Sequence, residues 1–244
     1  MYHELRKRGT SVRRLRYNRA MKKSVSPGVV TALLSFNAGY VDAASFLGLD
    51  GLFTAHVTGN FVTLAAALVA GSHGILGKLL ALPEFIMVVA LGRFAGAVLR
   101  RRNAPVLRIF LVTEVALLVA FFALAVGLGP FPNTDTPAAL ATGFAGVAAM
   151  ALQNGFQRVH FASAPPTTIM TGNTTQATID AVDLMMGAAT TADTRPRFKR
   201  IALGISCFAL GCATSALLYW LVGFWCLGVA VLVGVATALL RVES

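Results

Sequence analysis

The sequence predicts an all-α polytopic membrane helix bundle. It has about six spans plus two Thr-Gly-Asn segments that re-enter or break within the bilayer, arranged as a 3+3 inverted repeat. Eight full spans are the alternative. Three observations predict this. The 244 residues are 56% hydrophobic and only 13% charged, with a mean hydropathy of +0.71, whereas a soluble domain carries about 25% charged residues. That ratio leaves too little polar surface to cover a water-soluble globule, and it excludes a soluble enzyme, a disordered chain, collagen and a disulfide scaffold. Six apolar runs are long enough to cross a bilayer, and a Thr-Gly-Asn tripeptide recurs at the same place in each half of the chain.

The formal charge of +11 is concentrated at one end. Residues 1–23 hold nine Lys/Arg against the single acid Glu4. They lack the apolar face of a recognition helix. Residues 1–26 therefore read as a disordered basic tail that holds the N-terminus in the cytoplasm and can rest on anionic lipid, with no nucleic acid involved. Met21, followed by Lys22 and Lys23, offers an alternative start. The first apolar run is too long for the core of a signal peptide and no small-residue cleavage site closes it.

Residues 27–241 form one membrane domain. About 20 apolar residues span roughly 30 Å of hydrocarbon as a helix. The runs at about 28–49, 81–99, 107–128, 138–160, 201–221 and 223–240 meet that length, with Pro27, Pro83, Pro105, Pro137 and Pro196 at or before their starts. Two segments are ambiguous. Leu52–Ala70 contains His56, Thr58, Gly59 and Asn60, and Thr167–Met186 contains Thr171, Gly172 and Asn173. The second also carries Gln176, Asp180 and Asp183, at steps that place them on one helix face with Asn173. An Asp at a helix centre costs about 2.5–3.5 kcal/mol to insert, so that face cannot meet lipid. It reads as a water-lined cytoplasmic vestibule attracting cations, or as an amphipathic interfacial segment.

The positive-inside rule selects six spans. With six, the N-terminus, the Arg-rich loops at 100–108 and 195–200, and Arg241 all lie on the cytoplasmic side. With eight, Arg100-Arg101-Arg102 falls outside.

The resemblance between the halves extends beyond the tripeptide. Asn37-Ala38-Gly39-Tyr40 precedes the first segment and Gln153-Asn154-Gly155-Phe156 the second; Ala90-Leu91-Gly92 follows the first and Ala209-Leu210-Gly211 the second. Repeat one covers about 28–128 and repeat two about 138–240. Three spans per repeat is an odd number, so the halves run in opposite orientations, the plan of many transporters and channels with a midplane site. Gly59 and Gly172 permit close backbone approach. Thr and Asn side chains are expected to cap the half-helix starts.

Ionisable residues inside a membrane are functional candidates because burying them is costly. Asp42 lies in the latter half of the first run and falls opposite Arg158 in the repeat alignment, which suggests a pair across the pseudo-two-fold. The candidate pathway comprises Asp42, His56, Thr58, Gly59 and Asn60 in the first half. Gln153, Asn154, Arg158, Thr171, Gly172, Asn173, Gln176 and Asp180 complete it in the second. Arg93 reads as a snorkelling side chain. Cys207, Cys212 and Cys226 read as small core hydrophobes. No P-loop, HExxH, GxSxG or CxxC pattern is present, so no catalytic residue, metal or cofactor is expected.

The strings Ala38-Gly39-Tyr40-Val41-Asp42-Ala43, Phe46-Leu47-Gly48-Leu49, Phe53-Thr54-Ala55-His56-Val57-Thr58-Gly59-Asn60 and Thr167-Thr168-Ile169-Met170-Thr171-Gly172-Asn173 resemble the signature of the bacterial YoaK-like family, multi-pass inner-membrane proteins of unknown function. The resemblance covers about residues 26–241. It implies an inner-membrane location and no substrate. The expected function is a secondary transporter or channel for a small solute or ion, with a cation or neutral solute favoured over a large anion. The alternative is a non-transporting scaffold or sensor whose basic tail binds lipid or a partner. A homo-oligomer is compatible with either.

Overall fold

A computed structural model describes residues 26–187 and 191–240. The basic tail and Arg241 lie outside the described residues. Helix α1 spans Pro27–Gly48, with Pro27 at its first turn, where the missing N–H has no intrahelical partner to lose. A 3-10 turn at Val57–Gly59 leads into α2, Asn60–Ala70. Next come α3, Ile75–Arg101, and α4, Val106–Leu128. The second half contains α5, Pro137–His160; α6, Met170–Met185; α7, Thr194–Val222; a 3-10 turn at Gly223–Cys226; and α8, Leu227–Leu239. The described residues contain no strand.

Among the described residues, four stretches are long and apolar enough to cross a membrane: Gly28–Gly48, Ile75–Arg101, Val106–Leu128, and Thr194–Leu239, which holds both α7 and α8. Helix α5 has the length, roughly 36 Å at 1.5 Å per residue, but Gln153, Asn154, Gln157, Arg158 and His160 lower its hydropathy. Helices α2 and α6 have 11 and 16 residues, or roughly 16 and 24 Å. Both are shorter than the hydrocarbon thickness.

Two helix starts differ from the sequence expectation. Helix α3 begins at Ile75, so Pro83 lies inside it. The added turns are held by Asp135 from the α4–α5 loop, whose carboxylate accepts from Gly74 N at 3.0 Å and Leu76 N at 2.8 Å. That satisfies N–H groups a helix start leaves open. Gly71 and Gly74, with φ of 63° and 82°, make the α2–α3 turn in the left-handed region that glycine adopts without strain. Helix α7 begins at Thr194, so Pro196 sits in its first turn.

Helix α1 packs on α7 and α8, while α5 packs on α3 and α4; α4 meets α8, α2 lies on α3, and α6 on α7. Exchanging α1–α4 with α5–α8 in order leaves this set of pairs unchanged, a slight α3–α4 contact aside. The core divides into two apolar clusters. One contains Ala38, Val41, Leu118, Phe121, Val147 and Met150. The other contains Val30, Leu34, Phe110, Leu111, Leu152 and Phe156. Between them along α1, α4 and α5 stand Asn37, Glu114 and Gln153, each no more than 2% exposed.

Candidate functional site

Each Thr-Gly-Asn segment follows a loop that is stitched to the long helix of its own half. In the first half, Asp42 projects from α1 and is buried. Its Oδ1 accepts from Thr54 N and Ala55 N, both at 2.8 Å, and from His56 N at 3.4 Å. Thr54 Oγ1 lies at 3.4 Å from the same oxygen and 3.2 Å from Ser45 Oγ. Successive N–H groups converging on one anionic oxygen form a nest. Asn60 closes the loop: its Oδ1 accepts from Phe53 N and its Nδ2 donates to Phe53 O, both at 2.8 Å. Irregular backbone inside a bundle must find such partners, since no bulk water is there to supply them.

The second half uses neutral amides for the same task. Gln153 Nε2 donates to Thr167 Oγ1 at 3.0 Å and to Leu34 O at 3.1 Å, which ties α5 to α1. Asn154 Oδ1 accepts from Thr168 Oγ1 at 2.7 Å, and Gln157 Nε2 donates to Pro165 O at 2.9 Å. Asn173 Nδ2 donates to Pro166 O at 2.7 Å. The Phe53–Asn60 and Pro166–Asn173 spacings are identical, but Pro166 has no N–H to return.

These contacts correct two expectations. Neither Thr58 nor Asn60 caps α2, and no side chain caps α6; the asparagines bond backwards to the preceding loop instead. Asp42 does not pair with Arg158: its Oδ1 accepts from backbone N–H groups, and Arg158 lies exposed near the end of α5. Asp42, Asn60, Gln153, Asn154 and Asn173 are buried. Thr58, Thr171 and Gly172 are exposed, as is His56, whose ring lies 5.8 Å from that of Phe53. Gly59 is packed closely: a Cβ there would lie 2.9 Å from Phe53 Cδ2.

The acidic face of α6 is not an open cation vestibule. Arg197 of α7 reaches back to Asp180 through Nε at 2.9 Å and Nη2 at 2.6 Å. Gln176 Nε2 donates to the same carboxylate at 2.8 Å. The Asp180 side chain is inaccessible and its charge is already matched. The Arg197 hydrogen bonds hold its carboxyl below the ordinary value of 3.8. A depressed folded-state value stabilises above the unfolded value and is lost as pH falls through the folded one. The gap in thermal-unfolding midpoint between wild type and Arg197→Gln should be constant above about pH 5 and narrow as pH drops below 3.8. A gap independent of pH would contradict the pairing.

The two equivalent helix seams differ. Helices α1 and α7 touch backbone to backbone. A Cβ on Gly211 would overlap the Phe36 carbonyl and sit 2.9 Å from Tyr40 N, and one on Gly39 would overlap the Phe208 carbonyl. Cys212 Sγ donates to Gly39 O at 3.3 Å across the same seam. The corresponding glycines of the α3–α5 seam are Gly92 and Gly155. A Cβ on Gly92 would meet only Leu152 Cδ1, at 3.4 Å, and one on Gly155 would meet nothing within 4 Å. A cavity of about 380 Å³ occupies that seam. The polar layer lies behind its wall: Phe110 and Leu152 line the cavity, one turn from Glu114 and next to Gln153. Both side-chain atoms of Asn37, Glu114 Oε1 and Gln153 Oε1 are buried without a hydrogen-bond partner.

A family model described as "Protein of unknown function (DUF1275)" matches residues 30–240, from the first turn of α1 to the end of α8. The chain belongs to the DUF1275 family. No curated protein and no solved structure matches it. The family match covers nearly the stretch on which the sequence resemblance was drawn, and it carries neither a substrate nor a source.

In this DUF1275 chain, sequence reasoning singled out Asp42, Asn60, Gln153, Asn154 and Asn173 but missed Gln157 and the threonines. Thr54, Thr167 and Thr168 are as buried as the residues they bond. Thr54 and Thr167 stand at the same distance before Asn60 and Asn173, the one signal that could have marked them; Thr168 has Ala55 at its matching position. Glu114 lies well inside α4.

Proposed function

We propose that this chain is a secondary transporter for a small solute, a 3+3 inverted repeat with six spans in which α2 and α6 are re-entrant half-helices. The observation that carries the reading is the inequality of the two equivalent seams. Inverted repeats that adopt different packings open a pathway to one side of the membrane, and exchanging the packings opens the other. Here α1–α7 is closed at Gly39 and Gly211 while α3–α5 is parted. Three further features support it. The helix pairs map onto themselves when the halves are exchanged. Helix α2 has only 11 residues, and α6 carries Asp180 on a face that cannot meet lipid. The polar layer of Asn37, Glu114 and Gln153 lies between the halves, where inverted-repeat transporters place their sites.

Orientation follows from charge. Arg100–Arg102, Arg158 and Arg195–Arg200 gather at the end where α1 begins, near Gly28 and Arg200, and the positive-inside rule assigns that end to the cytoplasm of an inner membrane. The parted seam then faces the cytoplasm.

The test is protein-dependent flux of a radiolabelled panel of organic anions, cations and neutral metabolites in proteoliposomes. It uses chains with Cys207, Cys212 and Cys226 replaced by Ser and the pair Gly92→Cys and Leu152→Cys introduced. Bridging that pair with a short thiol reagent should reduce flux about 10-fold or more, a barrier change of about 1.4 kcal/mol, and cleaving the bridge should restore it. Absence of protein-dependent flux for every solute, or flux indifferent to the bridge, overturns the reading and returns the scaffold alternative.

A further inference from the structure

The α3–α5 cavity is graded along its length. Towards the bundle centre its wall is apolar, with Phe85, Val88 and Val89 of α3 facing Leu152 and Phe156 of α5. Towards the arginine-rich end the same cavity is lined by Arg93, Arg100, Arg158 and His160. No acidic residue lines it, and the ion pairs among the described residues, Arg197–Asp180 and Arg200–Asp193, involve none of the four. His160 Nε2 is buried without a hydrogen-bond partner. Snorkelling accounts for an arginine whose head leaves the protein for the interface. It does not account for four basic groups from two helices around one shared cavity beside a buried, unpartnered imidazole nitrogen.

We propose that this cavity binds a single-chain anionic amphiphile. Its carboxylate or phosphate head would lie among Arg93, Arg100, Arg158 and His160, and its apolar chain would run inward between Gly92 and Gly155. Guanidinium groups take such heads through paired, charge-assisted hydrogen bonds. A volume of about 380 Å³ falls at the small end of ligand pockets and holds one chain. The missing Cβ atoms at Gly92 and Gly155 leave the facing helix surfaces smooth enough to admit it. This replaces the expectation of a cation or neutral solute: the charge facing the open seam is positive.

The inference rests on the reading of the parted seam as the solute-facing one, and binding and flux separate the two. Radiolabelled dodecanoate is equilibrated with the full chain in phosphatidylcholine nanodiscs, with empty discs as the blank. Saturable binding near one per chain is expected. It should weaken about 10-fold or more, at least 1.4 kcal/mol, in the Arg93→Gln/Arg158→Gln variant. It should weaken similarly in Gly155→Leu, which fills the cavity from open space. Unchanged thermal-unfolding midpoints identify both variants as folded. Dodecyltrimethylammonium should not compete. Binding that does not saturate, that is equal in all three chains, or that yields equally to the cationic amphiphile overturns the proposal. So does full displacement by equimolar phosphatidylglycerol, which would make a two-chain bilayer lipid the occupant. Dodecanoate binding without protein-dependent flux of any solute leaves the site standing and removes transport; bridge-sensitive flux of other solutes without dodecanoate binding does the reverse.

Discussion

Asp42→Ala should destabilise the protein by about 3–5 kcal/mol. Two backbone N–H groups at 2.8 Å and a third at 3.4 Å lose their acceptor inside the bundle, and each buried donor left unmade costs about 1–3 kcal/mol. Asp42→Asn keeps an oxygen at the same place and should cost about 1 kcal/mol, the difference between a charged and a neutral acceptor. Thermal unfolding in detergent gives the ranking, and limited proteolysis between Gly51 and His56 reports the loop directly. Equal losses in the two variants would mean that the charge of Asp42, rather than its place as acceptor, is what matters. The prediction separates a positioning role from a direct one. In the flux assay, Asp42→Asn should retain activity if the residue only holds the loop.

The second large effect concerns the closed seam. Gly211→Ala places a methyl group on the Phe36 carbonyl, and Gly39→Ala does the same to that of Phe208. Neither neighbour is a flexible side chain that can turn away, so α1 and α7 must separate. The expected cost is about 3 kcal/mol, at the upper end for overpacking. Gly155→Ala, at the equivalent place in the open seam, meets no atom within 4 Å and should be neutral or stabilising by up to about 1 kcal/mol through helix propensity. Thermal-unfolding midpoints of the three variants decide this. A Gly155→Ala loss as large as that of Gly211→Ala would mean that α3 and α5 are closed in solution.

The sequence made the helices legible because each span must be apolar over about 20 residues, whatever it packs against. It made Asn60 and Asn173 legible through recurrence. What those asparagines do was not legible, since capping a helix and closing a loop use the same side chain; only the positions of Phe53 O and Pro166 O separate the two. The Asp180 stripe was read as an open acidic face because its partner, Arg197, lies 17 residues on, on a different helix. Pro83 was read as a helix start for a similar reason. Asp135, which holds the true start, lies 59 residues from Leu76, and no local rule connects them.

The basic residues show the division most plainly. Their positions in the chain set the charge of one end of the bundle, because charge against a bilayer is a property of each residue and its distance from a span. Which of them share a cavity is a property of pairs of helices. Arg93 and Arg158 are 65 residues apart and line one cavity only because α3 and α5 lie side by side with a gap between them. By itself the sequence determined the helical class of this chain, with stretches apolar enough to cross a membrane, and the two-fold recurrence of its Asn-bearing loops. The tertiary structure alone decided that one seam is shut by backbone contact and the other left open, since the same small residue either admits a neighbouring carbonyl or faces empty space according to how the helices cross.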